Sequence, residues 1–185
     1  MAPPLQPLQL VRVSMEITSV AFIAQVGITK DRAGRLTLDC DDSVKSHVQT
    51  IHSGALFTLA EAASGEALRV RFSALADQVV PVIRDAEITY RQPATSAVTA
   101  FPAISDDAIR TFEQRFARKG RATIEVEVEV TDQRGVVVCS GRFKWLVWEQ
   151  STTVGVSGGS AGPLPSLGPL RIASDIARDA PDDAA

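Results

Sequence analysis

Residues 52–65 read His52-Ser53-Gly54-Ala55-Leu56-Phe57-Thr58-Leu59-Ala60-Glu61-Ala62-Ala63-Ser64-Gly65, with one carboxylate in a run of apolar or small side chains that follows a histidine. Past Gly54 the residues are good helix formers, and apolar side chains fall on nearly every face. The spacing therefore predicts a helix over about 53–70, wrapped by other structure on most sides. The middle of such a helix lies inside the protein. Burial there disfavours the charged form of Glu61 and lifts its pKa toward the range useful to a general base or a nucleophile. The alternative reading is a glutamate on the one wet stripe of the helix, or one hydrogen-bonded to a backbone group.

The residues before the helix matter as much. His52-Ser53-Gly54 places a hydroxyl and a glycine where the first unpaired N–H groups of a helix point outward, at the positive end of its dipole. Ser53 is a natural N-cap and Gly54 a tight turn into the helix. The same two amides also form an oxyanion site, and a carboxylate further along the same helix is what acyl transfer requires.

Working outward, residues 8–18 alternate, with Val11, Val13, Met15 and Ile17 set against Arg12, Ser14, Glu16 and Thr18, a strand pattern. Residues 20–29 and 35–40 read as two further strands around the polar turn Lys30-Asp31-Arg32-Ala33-Gly34. Downstream of the helix, strands are predicted at about 78–91 and 96–103. A more polar helix follows at about 105–118, opened by Ser105-Asp106-Asp107 and closed by Lys119-Gly120. Thr123-Ile124-Glu125-Val126-Glu127-Val128-Glu129-Val130 alternates most cleanly, with an apolar face toward a core and an acidic face toward water. Residues 136–148 are its hairpin partner across Asp132-Gln133-Arg134-Gly135. Antiparallel strands interrupted by one long apolar helix define an α+β fold, the sheet curling around the helix. A single sheet of this kind leaves an edge and part of the helix uncovered, so self-association is expected.

The order and spacing of these segments resemble the hotdog-fold thioesterases over residues 19–149. In that family a His-Gly-Gly-like turn opens the central helix and an acid follows nine positions after the histidine, the spacing of His52 and Glu61 here. Ala86-Glu87-Ile88-Thr89-Tyr90-Arg91-Gln92-Pro93-Ala94 resembles the family's strand ending in an Arg-Pro-Ala-like turn, and Lys119-Gly120-Arg121-Ala122-Thr123 its next strand start. The resemblance implies hydrolysis of an acyl thioester carried by CoA or a carrier protein, with no cofactor, in a dimer or tetramer whose sites lie at the subunit interface. It assigns the oxyanion donors to the backbone of Ser53 and Gly54. Glu61 becomes the general base or nucleophile, and His52 holds the turn by hydrogen bonding, with a part in proton transfer as the alternative. Ser64, one turn beyond Glu61, either orients the water or simply permits close helix packing. Arg91, Arg118 and Lys119 are candidates for CoA phosphates. Two positions depart from the pattern: Ser53 replaces the first glycine, and Ser46, six positions before His52, stands where related sequences often carry a substrate-binding asparagine. Ser46 keeps open a non-catalytic acyl-binding or scaffold protein. A dehydratase on the same fold spaces its histidine and acid differently.

Composition excludes several classes. The chain has 185 residues, 45% of them hydrophobic, enough for one sizeable core but not for two. Its net charge of −3 argues against a nucleic-acid surface, which needs a basic face. No apolar run is long enough to span a membrane, and Met1-Ala2-Pro3-Pro4 lacks the basic start of a secretion signal, so the cytoplasm is expected. Cys40 and Cys139 make no disulfide framework, and with only His47 and His52 beside them no zinc spacing occurs. Both cysteines read as buried inert thiols, against the alternative of a nucleophilic Cys139–His52 pair. Residues 1–18 are expected to be an N-terminal segment. Residues 150–185, rich in Gly, Ser, Pro, Ala and Asp, are expected to be a flexible tail.

Overall fold

In the computed structural model, which describes residues 16–150, the apolar run around Glu61 forms helix α2 (Ser53–Arg71). Around it stand two shorter helices, α1 (Ala21–Val26) and α3 (Asp106–Lys119). The strands are β1 (Thr29–Lys30), β2 (Leu36–Leu38), β3 (Val79–Tyr90), β4 (Val98–Ala103), β5 (Arg121–Asp132) and β6 (Val137–Glu149). They form one sheet in the order β1-β2-β4-β5-β6-β3, every neighbour antiparallel. The expected α+β architecture, an antiparallel sheet packed on a long helix, is what the structure shows, and the sheet remains open.

The alternation in β5 sets the inner face. Ile124, Val126, Val128 and Val130 are buried against α2, while Glu125, Glu127 and Glu129 face outward. Its hairpin to β6 closes where expected: the Asp132 side chain accepts the N–H groups of Arg134 and Val136, and Gly135 takes the left-handed φ of +78° that glycine tolerates. Helix α3 is likewise capped as its sequence indicates. Ser105 Oγ accepts from Ala108 N–H at 3.2 Å, and Gly120 at φ +61° ends the helix.

One expectation is corrected. Residues 20–29, read as a strand, form helix α1, with only Thr29 and Lys30 extended in β1. The run Ala21-Phe22-Ile23-Ala24-Gln25-Val26 has no period of two, and Gly27, at φ +83°, stops the helix by returning its N–H to the carbonyls of Ile23 and Ala24. Of the strand expected at 8–18, residues up to 15 lie outside the described residues, and Ile17–Ser19 form a 3-10 turn. The tail expected at 150–185 also lies outside them, apart from Gln150.

β1 is tied to the central helix by charge. Glu66, buried on α2, accepts a two-pronged contact from Arg69, at 2.7 Å to each oxygen, and a 2.8 Å contact from Lys30, which also pairs with Glu16. These partners, Arg69 foremost, hold the Glu66 carboxyl below the usual carboxylate range against the opposing effect of burial. The group therefore contributes stability above its unfolded pKa and loses it as pH falls through the depressed value. Glu66→Gln is expected to cost about 2 kcal/mol at neutral pH, read by denaturant unfolding, with the difference from wild type shrinking in acid.

The helix is not covered evenly. Phe57, Glu61, Gly65 and Arg69 recur every four residues and are each partly exposed, whereas Ala60, Ala63 and Ser64 are buried. This stripe faces β6 near the β3 edge: Phe57 meets Phe143 edge-on at 5.8 Å, and a Cβ on Gly65 would lie 3.3 Å from the Trp145 indole. β3 pairs with β6 alone, so its outer edge is open among the described residues.

Candidate active site

At the N-terminus of α2 a cleft of about 610 Å³ opens between two loops. One loop, 44–52, is a tight turn in which Ser46 N–H donates to Thr50 C=O at 2.7 Å and Gln49 adopts φ +60°. The other carries Arg91-Gln92-Pro93-Ala94, and Ile51 N–H donates to Ala94 C=O at 2.8 Å, latching it to the start of the helix. The hydrogen-bonding demand of the helix start places the site residues. His52 is the N-cap, and its Nδ1 accepts the Gly54 N–H at 2.9 Å. Ala55 and Leu56 N–H both reach the His52 carbonyl. Only the Ser53 N–H is left without an acceptor among the described residues, and Ser53 lines the cleft.

Of the two amides expected as oxyanion donors, then, Ser53 is free and Gly54 is engaged by His52. His52 lies at the turn, where its imidazole accepts the backbone N–H of Gly54. Tyr90, which the sequence reading passed over, donates its hydroxyl to the Ser53 carbonyl at 3.0 Å and lines the same cleft. A contact between residues 37 positions apart leaves no trace in local spacing, so no signal in the sequence could have found it.

Glu61 sits on the partly open stripe of α2. Among the described residues its carboxylate has no ion-pair or hydrogen-bond partner, and burial alone pushes its pKa up. Ser64 is fully buried. Its hydroxyl donates to the Glu61 carbonyl at 2.7 Å and accepts from the Trp145 indole N–H at 3.0 Å, fixing this turn of helix against β6.

The remaining candidates divide. Ser46 and Arg91 line the cleft. Ser46 Oγ lies 3.3 Å from Thr50 Oγ1, and Arg91 reaches Ser140 Oγ at 2.9 Å. Arg118 and Lys119 are exposed at the far end of α3 and do not line the cleft. The Cys139 thiol is fully buried and pushed up to about 11, which leaves it protonated at neutral pH and unsuited to nucleophilic work. Among the described residues no group of three His, Cys, Asp or Glu side chains could hold a metal ion, and no helix is long and apolar enough to cross a membrane.

Residues 18–147 match the profile of the family described as domain of unknown function, DUF4442. The chain belongs to that family. No curated protein matches this DUF4442 chain in sequence. Solved structures do resemble it. PA5026 from Pseudomonas aeruginosa, a protein of unknown function and probable thioesterase, superimposes with a TM-score of 0.62 at 24% identity, over 72% of this chain and 91% of its own. Thioesterase HI1161 from Haemophilus influenzae gives 0.59 at 17% identity, over 75% and 90%. BH2602 from Bacillus halodurans, solved with CoA, gives 0.53 at 23% identity, over 66% and 72%. The architecture this DUF4442 chain shares with them is the hotdog fold, as the sequence resemblance implied.

Proposed function

We propose that this protein is a thioester hydrolase that releases an acyl group from CoA or a related carrier thiol. The observation that carries the reading is Glu61: a partly buried carboxylate with a raised pKa and no partner among the described residues, on a helix whose first residue, Ser53, lines a cleft and has an amide without an acceptor among the same residues. In this mechanism the thioester carbonyl oxygen accepts the Ser53 N–H. Glu61 takes a proton from water as the water oxygen attacks the carbonyl carbon; the C–S bond then breaks and the departing sulfur takes the proton, giving a carboxylic acid and a free thiol. Direct attack by the Glu61 carboxylate, followed by hydrolysis of the anhydride, uses the same geometry. Ser64 serves as a positioning residue that holds the Glu61 turn against β6.

Ser53 and Glu61 are eight residues apart on one helix, about 12 Å along its axis, whereas both must come within about 3 Å of one thioester. A single chain therefore supplies two halves of two sites. The reading pairs Ser53 of one copy with Glu61 of another in a homodimer or larger homo-oligomer, and the β3 edge, open among the described residues and beside the half-covered stripe of α2, supports such pairing.

The test is release of free thiol from aromatic, short-chain and long-chain acyl-CoAs, with dehydration of hydroxyacyl-CoA assayed in parallel. Thiol release from at least one acyl class is expected, without dehydration; no release from any of them overturns the reading. A second reading, an acyl-binding hotdog protein without turnover, is favoured by the Ser46 hydroxyl lying against Thr50 and Val48 and by the loss of the Gly54 amide to His52. It expects acyl-CoA binding with no thiol release.

A further inference from the structure

Besides the cleft, the protein has an apolar groove of about 270 Å³ between the C-terminal half of α2 and the inner faces of β3 and β6. Its wall is formed by Leu68, Phe72, Leu75, Val79, Pro81 and Trp145. Glu66 and Arg69 border it, but their charges are turned on each other and on Lys30, so the groove offers no unpaired ion to a ligand. Its near end is Gly65. That residue stands one turn beyond Glu61 on the same stripe, and its missing side chain lets the Trp145 ring pack directly against the helix, 3.3 Å from where a Cβ would lie. Ala76, past the end of the helix, also lines it.

We infer that this groove takes the hydrocarbon of the acyl group and makes the protein selective for acyl chains of medium length. The inference rests on the hydrolase reading for where the thioester sits. From Glu61 to Gly65 the helix rises about 6 Å, roughly five bonds of an extended acyl chain, so acetyl and other short groups end before the groove begins. Longer chains enter a wall of aliphatic and aromatic carbon, held in place at Trp145 by the indole N–H bond to Ser64. The two cavities differ in chemistry. The cleft, with His52, Arg91 and Gln92, suits a polar carrier, whereas the groove suits only an apolar tail.

Two measurements test this. The first is kcat/KM for acetyl- through dodecanoyl-CoA. It should be low and flat for the shortest groups, then rise by up to about fourfold per added methylene until the groove is full. Ala76→Phe, which fills the groove, should leave the short acyl-CoAs unchanged and cut decanoyl-CoA turnover at least about tenfold. Leu75→Ala, which enlarges the groove, should move the optimum to longer chains and serves if Ala76→Phe does not fold. The second measurement is independent of turnover. In a Trp148→Phe background Trp145 is the only tryptophan, and its emission should shift saturably with decanoate, not with acetate, and not in Ala76→Phe. A decanoate-dependent shift without any thiol release upholds the groove and refutes the hydrolase. Glu61-dependent hydrolysis with a flat chain-length profile, or an emission indifferent to decanoate, overturns the groove and leaves the hydrolase standing.

Discussion

Glu61→Gln is expected to lower thioester turnover by about two orders of magnitude or more, the scale of a lost general base, while the protein stays folded. The amide keeps the shape of the side chain and removes only its ability to accept a proton. Stability provides a second readout with a definite sign. Burial raises the Glu61 pKa, so between the ordinary carboxylate value and the raised one the folded state binds more protons than the unfolded state. Stability conferred at this position therefore falls as pH rises through that interval, and the full cost is present above it. Glu61→Gln has no such group, so it should unfold at the same or slightly higher temperature than wild type at neutral pH and lose that advantage in acid. Wild-type kcat/KM should rise with pH as Glu61 deprotonates. A parent that releases thiol and a Glu61→Gln variant that does so equally well would refute the role of Glu61 and leave the fold untouched.

Ser53→Pro should be as damaging to activity and nearly silent in stability. Proline removes the one amide at the helix start that has no acceptor within the described chain, and the first helical position is where proline is best tolerated. His52, at φ −62° and ψ 139°, already has the extended conformation that a following proline requires. Loss of an oxyanion donor predicts a fall of about 10²–10³ in kcat with little change in unfolding temperature. Mixing decides whether the site is shared. If Ser53 of one copy serves Glu61 of another, co-expressed Glu61→Gln and Ser53→Pro chains form mixed dimers in which one of the two sites is intact, and about a quarter of wild-type activity should return. If each chain holds its own site, the mixture stays inactive, and if Ser53→Pro alone is fully active the amide is not the donor.

Much of this architecture was legible in local patterns. The period of two in Thr123–Val130 showed both that β5 is a strand and which face is buried, because alternating side chains necessarily point to opposite sides of a sheet. Ser105, Gly120 and the Asp132–Gly135 turn announced their elements through hydrogen bonds made within a few residues. The misreading of 20–29 arose where that locality fails. An apolar run of six residues with no alternation is compatible with either helix or strand, and packing against the core and the Gly27 stop made it helical.

By itself the sequence determined the helix, the position of its single carboxylate, the turn that opens it and the strands around it, since each depends on side chains close together in the chain. What only the tertiary structure decided depends on partners far apart in it. Tyr90 holds the Ser53 carbonyl, Trp145 occupies the hydroxyl of Ser64, and Arg118 and Lys119, basic and plausibly placed in the sequence, stand away from the cleft. The fate of the Gly54 amide depended on which of two acceptors, an imidazole two residues back or a ligand, reached it in the folded chain. Glu66 and Glu61 show the difference most directly. Five residues apart on one helix, one faces Lys30 and Arg69 and is held ionised, while the other is half-buried with no charge partner among the described residues and is pushed toward the neutral form. A carboxylate's charge is set by what surrounds it in space, and that surrounding is assembled only when the sheet closes on the helix.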